Sequence, residues 1–386
     1  MMDINEKTLA SESAHAPKGL EGVVFGASSI TFLDGLGGRM FYRGYNVLDL
    51  AEKTSYEEVV YLLWQGELPT REKLASFVKP IVAQRALPAP VLRFLKTLPP
   101  KSHPMEVVRT GVSLLAHYDP DGPDGSPEAV RRKSERLVAR TATLVAAWDR
   151  IRKGRRPVAP NPKLSHAANF LYMLTGKKPG PVDVRALDAY LALLADHDLN
   201  ASTFAACVVT STMSDVYSAV TAAVAALKGP LHGGANEKAM EMFLAIGEPS
   251  KADAWIEKAL AEKKKIMGFG HRVYKVEDPR SVPLRAIARK LGEAKGDLRW
   301  MDVAVKVEEA FTRRKNIKTN VDFYSAPLLY LLGIPMDLFT PMFAVSRVAG
   351  WCAHVVEQME RNRIVRPRTE YAGPPSRAFA PIEART

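Results

Sequence analysis

Most of the chain shows the pattern of apolar and polar residues that is typical of helices, interrupted by clusters of proline and glycine. The segment Ser55–Glu58 has the spacing of a capping box, and an apolar run, 59–63, follows it. Gly66 and Pro69 then supply a stop signal. This pattern predicts a helix that begins after Ser55 and, for the whole chain, a mainly α fold.

Strand signals are weak. The best lies in residues 22–33, where Val, Phe, Ile and Thr predict a small N-terminal β hairpin. Residues 119–126 have the composition of a polar loop, and residues 152–162 that of an exposed basic connector. The stretch from Ser202 to Leu227 is rich in Ala, Ser and Thr and has almost no charge after Asp215. We therefore predict one long, small-sided helix, either central or at a subunit interface.

Length and composition favour an ordinary globular enzyme. With 386 residues, of which 47% are hydrophobic, the chain is long enough for two domains. No apolar stretch is long enough to span a membrane, and the acidic N-terminal segment resembles neither a secretory signal nor a transit peptide. Cys207 and Cys352 lie in apolar, helix-like runs, which favours buried thiols over a disulfide. We expect a cytoplasmic protein.

A formal net charge of +12 has two interpretations. The first is nucleic-acid binding, and the second is a small anionic substrate with the excess charge dispersed over the surface. The basic residues are scattered, and no helix-turn-helix, zinc-finger or RNA-recognition pattern is present. This favours the anionic substrate and leaves nucleic-acid binding as a distant alternative.

The residues around His232 indicate its role more clearly than those around His197 do. His232 follows the helix stop Gly229–Pro230 and precedes a predicted helix near Ala235, so the helix dipole should keep its ring neutral. A neutral donor suits an enolate oxygen, although a histidine that merely satisfies a turn is the plainer alternative. His197 lies between two aspartates, which should favour its protonated form. Surface and ligand-binding roles remain equally open for it.

Further along the chain, Gly268 and Gly270 precede His271, an arrangement that can present a side chain into a cleft. Asp278 with Pro279 is predicted to cap the helix 281–291 rather than to act in catalysis. Arg280, in the first turn of that helix, suits a carboxylate ligand.

The last candidate site combines an acid with arginines. Asp322 lies between Val321 and Phe323, where an apolar setting would raise its pKa and make it a stronger base. We expect Ser325 to cap the local helix, which frees Asp322. Arg347 lies in an apolar run and needs an anionic partner unless its side chain extends to a polar rim. Arg347, Trp351 and His354 share one helix face, and Arg366 and Arg368 follow this helix.

Five segments in order resemble the citrate synthase family. Three are its catalytic segments, and two form its C-terminal signature; they span residues 229–237, 268–280, 320–325, 346–354 and 366–368. The stretch 42–45 also resembles the family, and the match extends from about Gly22 to Gly373. Several ordered segments are far more specific than one short motif.

The resemblance implies a role for each candidate residue. His232 would donate to the thioester carbonyl of acetyl-CoA, Asp322 would remove a methyl proton, and His271 would polarise the ketone of oxaloacetate. The predicted oxaloacetate ligands are His197, Arg280, Arg347 and, from the partner subunit, Arg366. The resulting thioester would be hydrolysed to citrate and CoA, a step of the tricarboxylic acid cycle. No metal or separate cofactor is implied.

The resemblance also implies a nearly all-helical homodimer. A large domain (1–233 and 334–386) would carry the dimer interface, and a small domain (234–333) would close over the cleft. Basic residues that could hold the CoA phosphates, or simply form a solvated basic face, are Arg272, Lys275, Arg313 and Arg314. Ala326–Pro327 departs from the glycine that many family members have after the serine. That change could alter the pocket width, and 2-methylcitrate synthase, which uses propionyl-CoA, stays an alternative.

Overall fold

The computed structural model describes residues 18–369, 371–374 and 376–385. These residues form 16 α-helices and one small sheet, which confirms the predicted mainly α fold. They belong to two compact units. The terminal unit contains the described residues before 28 and after 363, including the short 3₁₀ turns Lys18–Leu20 and Ile382–Ala384. The main unit, Ser28–Arg363, contains the sheet and all the α-helices.

The sheet of the main unit has three antiparallel strands in the order β1 (Thr31–Asp34), β2 (Arg39–Tyr42) and β3 (Tyr45–Asn46). Thr31 lies opposite Tyr42 and Asp34 opposite Arg39. The Asp34 carboxylate accepts a 2.7 Å hydrogen bond from the Gly37 N–H, which closes the turn. The predicted hairpin therefore exists but begins later than expected, because residues 22–30 lie outside the strands.

The helices of the main unit follow in sequence order. The first eight are α1 (Val47–Lys53), α2 (Tyr56–Gln65), α3 (Arg71–Ala83), α4 (Ala89–Leu95), α5 (Pro104–Ala116), α6 (Pro127–Arg152), α7 (His166–Thr175) and α8 (Pro181–Leu194). The remaining eight are α9 (Ala201–Ser211), α10 (Val216–Leu227), α11 (Ala235–Ile246), α12 (Ala252–Ala261), α13 (Ser281–Lys295), α14 (Arg299–Lys315), α15 (Val321–Leu331) and α16 (Phe339–Glu360). Two 3₁₀ turns, Pro249–Lys251 and Met336–Leu338, precede α12 and α16.

The predicted capping box starts α2 as expected. The Ser55 hydroxyl accepts from the Glu58 N–H, and the Glu58 carboxylate accepts from the Ser55 N–H at 2.7 Å. Gly66, with φ +87°, ends the helix in the left-handed conformation that a glycine adopts readily. In both respects the local sequence signal agrees with the structure.

Helix α16 forms the centre of the main unit. Every residue from Phe339 to Val355 is buried, so this helix is covered on all sides by its neighbours. Two ionisable side chains, Arg347 and His354, are enclosed with it. Because buried charges need partners, these two positions require a specific explanation.

The prediction of a single helix from Ser202 to Leu227 is wrong about the number of helices. The chain forms two helices, α9 and α10, that break at Met213, whose φ is +65°. The Asp215 carboxylate caps α10 by accepting from the Tyr217 and Ser218 N–H groups at 2.9 and 3.1 Å. The break thus follows from an N-cap inside a small-sided segment.

The structure also bears on the cysteines and on membrane-spanning helices. Cys207 and Cys352 are free, buried thiols, as predicted. Within the described ranges, no helix has the length and apolar character needed to cross a membrane.

Candidate active site

His232 lies in the tight turn between α10 and α11, as the sequence predicts. Gly233 is required here because an added Cβ would lie 2.2 Å from the Leu227 carbonyl oxygen. The Thr340 hydroxyl, at the start of α16, donates a 3.0 Å hydrogen bond to the Gly233 carbonyl. The turn is therefore held from both sides, and it brings the His232 ring next to Ser202 at the start of α9.

A hydrogen-bond network around Ser202 indicates the tautomer of His232. The Ser202 N–H, which can only donate, donates to His232 Nε2 at 3.3 Å. The Ser202 hydroxyl lies 2.9 Å from the same atom and donates its own proton to Asn200 Oδ1 at 2.7 Å. The Trp351 indole N–H donates to the Ser202 hydroxyl oxygen at 3.1 Å. With Nε2 as the acceptor, the ring proton resides on Nδ1 and is available to a ligand.

The His232 ring is neutral near pH 7. Burial, followed by the nearby Arg347 charge, lowers its pKa to about 4. The sequence predicts this neutrality from the helix dipole, whereas burial is the larger cause. Neither Ser202 nor Trp351 was identified as a site residue from sequence, although Trp351 shares a helix face with Arg347.

The segments around His271 and Asp322 are joined through their backbones. Phe269 and Thr319 form an antiparallel β-bridge. The Gly270 N–H donates to the Lys318 carbonyl at 2.9 Å, and the Asn320 N–H donates to the Gly268 carbonyl at 2.9 Å. Gly268 has φ +81°, and a Cβ at that position would lie within 2.7 Å of the Phe323 ring. The bridge thus fixes the segments that carry His271 and Asp322 relative to each other.

The His271 ring is oriented by its own loop. Its Nδ1 accepts from the Val273 and Tyr274 N–H groups at 3.0 and 3.3 Å, which leaves Nε2–H as the donor toward a ligand. Burial and then Arg280 lower the pKa of His271 to about 4, so this ring is also neutral. The His271 and His197 ring centroids are 5.2 Å apart.

His197 is buried, and its protonation differs from the expectation. Burial, followed by the charges of Arg280, His271 and Arg347, holds the pKa of His197 well below its usual range. The two flanking aspartates do not reverse this effect. Asp196 instead accepts from Thr31 and lies 3.2 Å from His354. His197 Nε2 has no hydrogen-bond partner among the described residues, which suits a ligand contact.

The predicted capping role of Asp278 is confirmed only in part. The N-cap position is Arg280 rather than Asp278, although the Arg280 N–H donates to Asp278 Oδ1 at 3.0 Å. The buried Asp278 carboxylate binds the Arg280 guanidinium in two places, at 3.0 Å to Nε and 2.8 Å to Nη2. The same carboxylate accepts from the Val321 N–H at 3.1 Å, next to Asp322. Although burial opposes ionisation, Arg280 keeps the pKa of Asp278 below its usual range. Asp278 therefore positions Arg280 and the start of α15.

Asp322, the predicted base, is not used as a helix cap. Asn320 caps α15 by accepting from the Asp322 N–H at 3.1 Å, whereas Ser325, the predicted cap, lies inside the helix and donates to the Asp322 carbonyl. The Asp322 side chain is thus not used as a cap, as predicted, but the capping residue is Asn320 and not Ser325. Burial raises its pKa to about 7, despite the opposing charges of Arg280 and Arg347. A carboxylate with that pKa is a competent base near neutrality.

Arg347 is a buried cation with unused hydrogen-bonding capacity. Its Nε donates to the Leu194 carbonyl at 2.7 Å, and its guanidinium lies 4.8 Å from the Phe343 ring centroid. Its Nη2 has no partner among the described residues. Burial lowers its pKa to about 10, which leaves it charged at neutral pH. An anionic ligand would supply the hydrogen-bond acceptor that Arg347 Nη2 lacks.

Two further buried groups lie close to this site and were missed from sequence. The hydroxyls of Tyr190 and Tyr274 have no partner in the part of the chain that is described. Tyr190 interacts electrostatically with Asp322 and Arg347, and the Tyr274 ring centroid is 4.7 Å from that of His271. Tyr274 falls within the second catalytic segment, whereas Tyr190 carries no local signal.

The remaining predicted residues are less tightly connected to the site. Arg272 and Lys275 are exposed on the His271 loop. Arg313 and Arg314 both pair with Asp253 at the surface, so they already have an anionic partner. Arg366 is exposed in the terminal unit, and its action across a subunit interface stays a prediction. The CoA contacts of all four other basic residues likewise stay predictions.

Comparisons with known proteins identify the family of the chain. The family model for the citrate synthase C-terminal domain matches residues 19–368. Citrate synthase 2 of Bacillus subtilis is 46% identical over 96% of this chain and 99% of its own length. A 2-methylcitrate synthase of Corynebacterium glutamicum is 44% identical over 95% of this chain and 97% of its own.

A solved structure shows the same relationship in three dimensions. Citrate synthase of Thermoplasma acidophilum, crystallised with carboxymethyl coenzyme A and oxaloacetate, superposes with a TM-score of 0.89 at 34% identity. The match covers 95% of this chain and 99% of that one. Together with the family model and the sequence relatives, this shows that the chain belongs to the citrate synthase family.

Proposed function

We propose that the protein condenses acetyl-CoA with oxaloacetate and hydrolyses the resulting thioester to citrate and CoA. The observation that carries the proposal is a set of unmatched groups in one buried region. Arg347 Nη2 and His197 Nε2 lack protein partners, and Asp322 has a pKa raised to about 7. Two neutral histidines complete the set. Together they suit a small anionic ketone and an acid–base reaction at carbon.

The proposed chemistry assigns each group one step. Asp322 removes a proton from the acyl methyl group while His232 Nδ1–H donates to the thioester oxygen, which stabilises the developing enolate. The new carbon nucleophile forms a bond to the ketone carbon of oxaloacetate. His271 gives its Nε2 proton to the ketone oxygen, which becomes the product hydroxyl. Water then cleaves the thioester to give the third carboxylate of citrate and free CoA, and exchange of protons with solvent returns Asp322 and His271 to their starting forms.

The arginines would bind the two carboxylates of oxaloacetate. Arg347 would use its free Nη2, and Arg280, fixed by Asp278, would present the part of its guanidinium that faces away from that carboxylate. Closure of a small domain (234–333) onto a large one would exclude water before condensation. A homodimer in the cytoplasm, with Arg366 reaching into the partner's site, completes the proposal.

The second candidate is 2-methylcitrate synthesis, because relatives with that name are 44% identical to this chain over nearly its full length. It requires the same base and the same donors and differs only in the acyl group. Nothing in the comparisons favours the nucleic-acid alternative.

Steady-state rates with acetyl-CoA and propionyl-CoA, at matched concentrations and saturating oxaloacetate, separate the two candidates. We expect a higher kcat/KM with acetyl-CoA, measured from the release of free CoA thiol. A higher value with propionyl-CoA would assign the chain to the second candidate. Turnover with neither acyl-CoA would overturn both.

The role of Arg366 has a separate test. Arg366→Ala and Asp322→Asn variants, each inactive alone, are mixed under conditions in which subunits exchange. Because a hybrid dimer would contain one site with both native residues, partial recovery of activity is expected. Exchange is verified with differently tagged subunits, and exchange without recovery would contradict a trans arginine.

A further inference from the structure

The residue just before His197 is a buried carboxylate with an unusual set of partners. Asp196 Oδ2 accepts from the Thr31 hydroxyl at 2.6 Å and from the Asp198 N–H at 3.0 Å, and it lies 3.2 Å from His354 Nε2. Asp196 is fully buried, and His354 is 4% exposed. A carboxylate this deep in a protein destabilises the fold strongly unless a cation faces it.

The backbone around Asp196 is held equally closely. The Asp196 N–H donates to the Tyr42 hydroxyl at 3.1 Å, and the Gly350 N–H donates to the Ala195 carbonyl at 3.0 Å. A Cβ at Gly350 would lie 2.3 Å from the second oxygen of Asp196. Helix α16 therefore packs against this loop without an intervening side chain at Gly350. The Asp196–His354 pair lies at this contact.

We propose that His354 is a positioning residue, whose ion pair with Asp196 fixes residues 195–198 and so aims the His197 ring into the oxaloacetate site. This inference rests on the proposed function, because it assumes that His197 contacts oxaloacetate. Its consequence is that oxaloacetate affinity depends on the ion pair, whereas the chemical step, carried out by His232, His271 and Asp322, does not.

The charges around His354 favour its protonated form. Asp196 and Asp198 face it from the loop, and Glu357 lies one turn further along α16. Tyr42 on β2, Cys207 on α9 and Arg347 on α16 also interact electrostatically with Asp196. Although burial opposes the charge, Asp196 raises the pKa of His354 above its usual value. The neighbours of His354 thus favour its charged form, whereas the three other site histidines are neutral.

This contrast separates the pH dependence of binding from that of chemistry. The pKa values of His197, His232 and His271 are all lowered, so these rings have lost their protons well below pH 7. A group with a raised pKa in the folded state contributes below that pKa and loses its contribution as pH rises through it. Oxaloacetate affinity should therefore weaken as pH rises through the raised pKa of His354.

The test is His354→Gln in the full-length protein, with oxaloacetate binding measured by calorimetry between pH 7 and 9.5. We expect a dissociation constant for oxaloacetate about tenfold above the unaltered protein at pH 7.5 and independent of pH. The kcat and the KM for acetyl-CoA should stay within about threefold. His117→Gln, an exposed histidine at the end of α5, is the matched control and should bind oxaloacetate like the unaltered protein.

A double variant distinguishes the ion pair from simple packing. Asp196→Asn with His354→Gln replaces two charges by two amides that can still hydrogen-bond, and it should recover most of the oxaloacetate affinity without an alkaline decline. If His354→Gln does not fold, Thr31→Val removes one hydrogen bond to the same carboxylate oxygen. A selective loss of oxaloacetate affinity in Thr31→Val would then support the inference, and unchanged affinity would contradict it.

The possible results distinguish a failure of this inference from a failure of the proposed function. Unchanged oxaloacetate affinity in His354→Gln, or equal losses of affinity for both substrates in that variant, would overturn the inference alone. Absence of oxaloacetate binding in the unaltered protein would overturn the proposed function and this inference with it. A selective, pH-dependent loss of oxaloacetate affinity would support both.

Discussion

Two buried arginines in the main unit have opposite environments. Arg136 on α6 binds Asp119 through Nε and Nη2 at 2.6 and 2.8 Å, donates to Gln84 at 3.1 Å and also contacts Asp121. Arg347 on α16 donates to one carbonyl and has no partner for Nη2 among the described residues. Although burial opposes its charge, carboxylates raise the pKa of Arg136, whereas burial lowers that of Arg347 to about 10.

The difference separates an arginine that stabilises the fold from one kept ready for a ligand. Arg136 is neutralised by the protein itself, so its removal should affect stability. Arg347 is left incompletely paired, so its neutralisation awaits a substrate carboxylate. Asp322 belongs to the second class, because burial raises its pKa from 3.8 to about 7 instead of a partner lowering it. Groups of this class reduce stability and supply function.

The largest expected effect is that of Asp322→Asn. Removing the base should lower kcat about 10³-fold, while oxaloacetate still binds. Because Asp322 has a raised pKa, its ionised form destabilises the folded state above pH 7, and the neutral amide should leave Tm unchanged or higher. Stopped-flow rates and thermal melts at pH 8 measure both. A variant with near-normal turnover would refute the base assignment.

The next effect tests the two arginines directly. Arg347→Gln should raise the KM for oxaloacetate about 10- to 100-fold, because a charged hydrogen bond to the ligand is lost, and should not lower Tm. Arg136→Gln is its matched control and should lower the stability of the fold without changing the KM for oxaloacetate. It leaves Asp119 buried without its cation, so a loss of about 3 kcal/mol in the free energy of unfolding is expected with near-normal KM. The same pattern in both variants would remove the distinction between them.

A third prediction concerns the pH dependence of the chemical step. Asp322 acts as a base only when ionised, so kcat/KM for acetyl-CoA should be maximal above pH 7 and fall about tenfold per unit below its pKa of about 7. Arg347→Gln removes a nearby charge that lowers this pKa, and so should move the acid limb to higher pH. An acid limb near pH 4 would mean that Asp322 is not desolvated in solution.

The smallest effect is expected at Ala326. This side chain is fully buried within α15, so it cannot line an open acyl pocket directly. Ala326→Gly should destabilise the helix by about 1 kcal/mol and leave the ratio of acetyl-CoA to propionyl-CoA rates nearly unchanged. A shift of ~10-fold or more, as a pocket-lining methyl group produces, would show that Ala326 controls acyl choice after all.

Sequence reasoning was most accurate where the signal is local. The Ser55 capping box, the turn before α11 that carries His232, and the buried position of Arg347 all depend on neighbouring residues or on helical periodicity. The errors have a common cause. Asp278 resembles an N-cap locally, yet its carboxylate binds Arg280 and the N–H of Val321, a contact between distant segments.

The protonation of His197 was mispredicted for a similar reason. Two adjacent aspartates suggested a cation, whereas depth of burial and arginines from α13 and α16 determine the outcome. Likewise, nothing in the Ser202 segment reveals that its N–H and hydroxyl meet His232 Nε2. Sequence identified the residue types of the site, but which atom faces which partner depends on how the helices cross.

The β-bridge between Phe269 and Thr319 has a consequence for how this chain can be divided. It brings together the two ends of the segment that contains α13 and α14, so the backbones beside His271 and Asp322 remain hydrogen-bonded to each other whatever lies between them. New chain termini in the exposed turn at Gly296, as in a circular permutant, would separate the two catalytic groups in sequence but leave this pairing intact. Covalent continuity through α13 and α14 is then dispensable for keeping the segments of His271 and Asp322 paired.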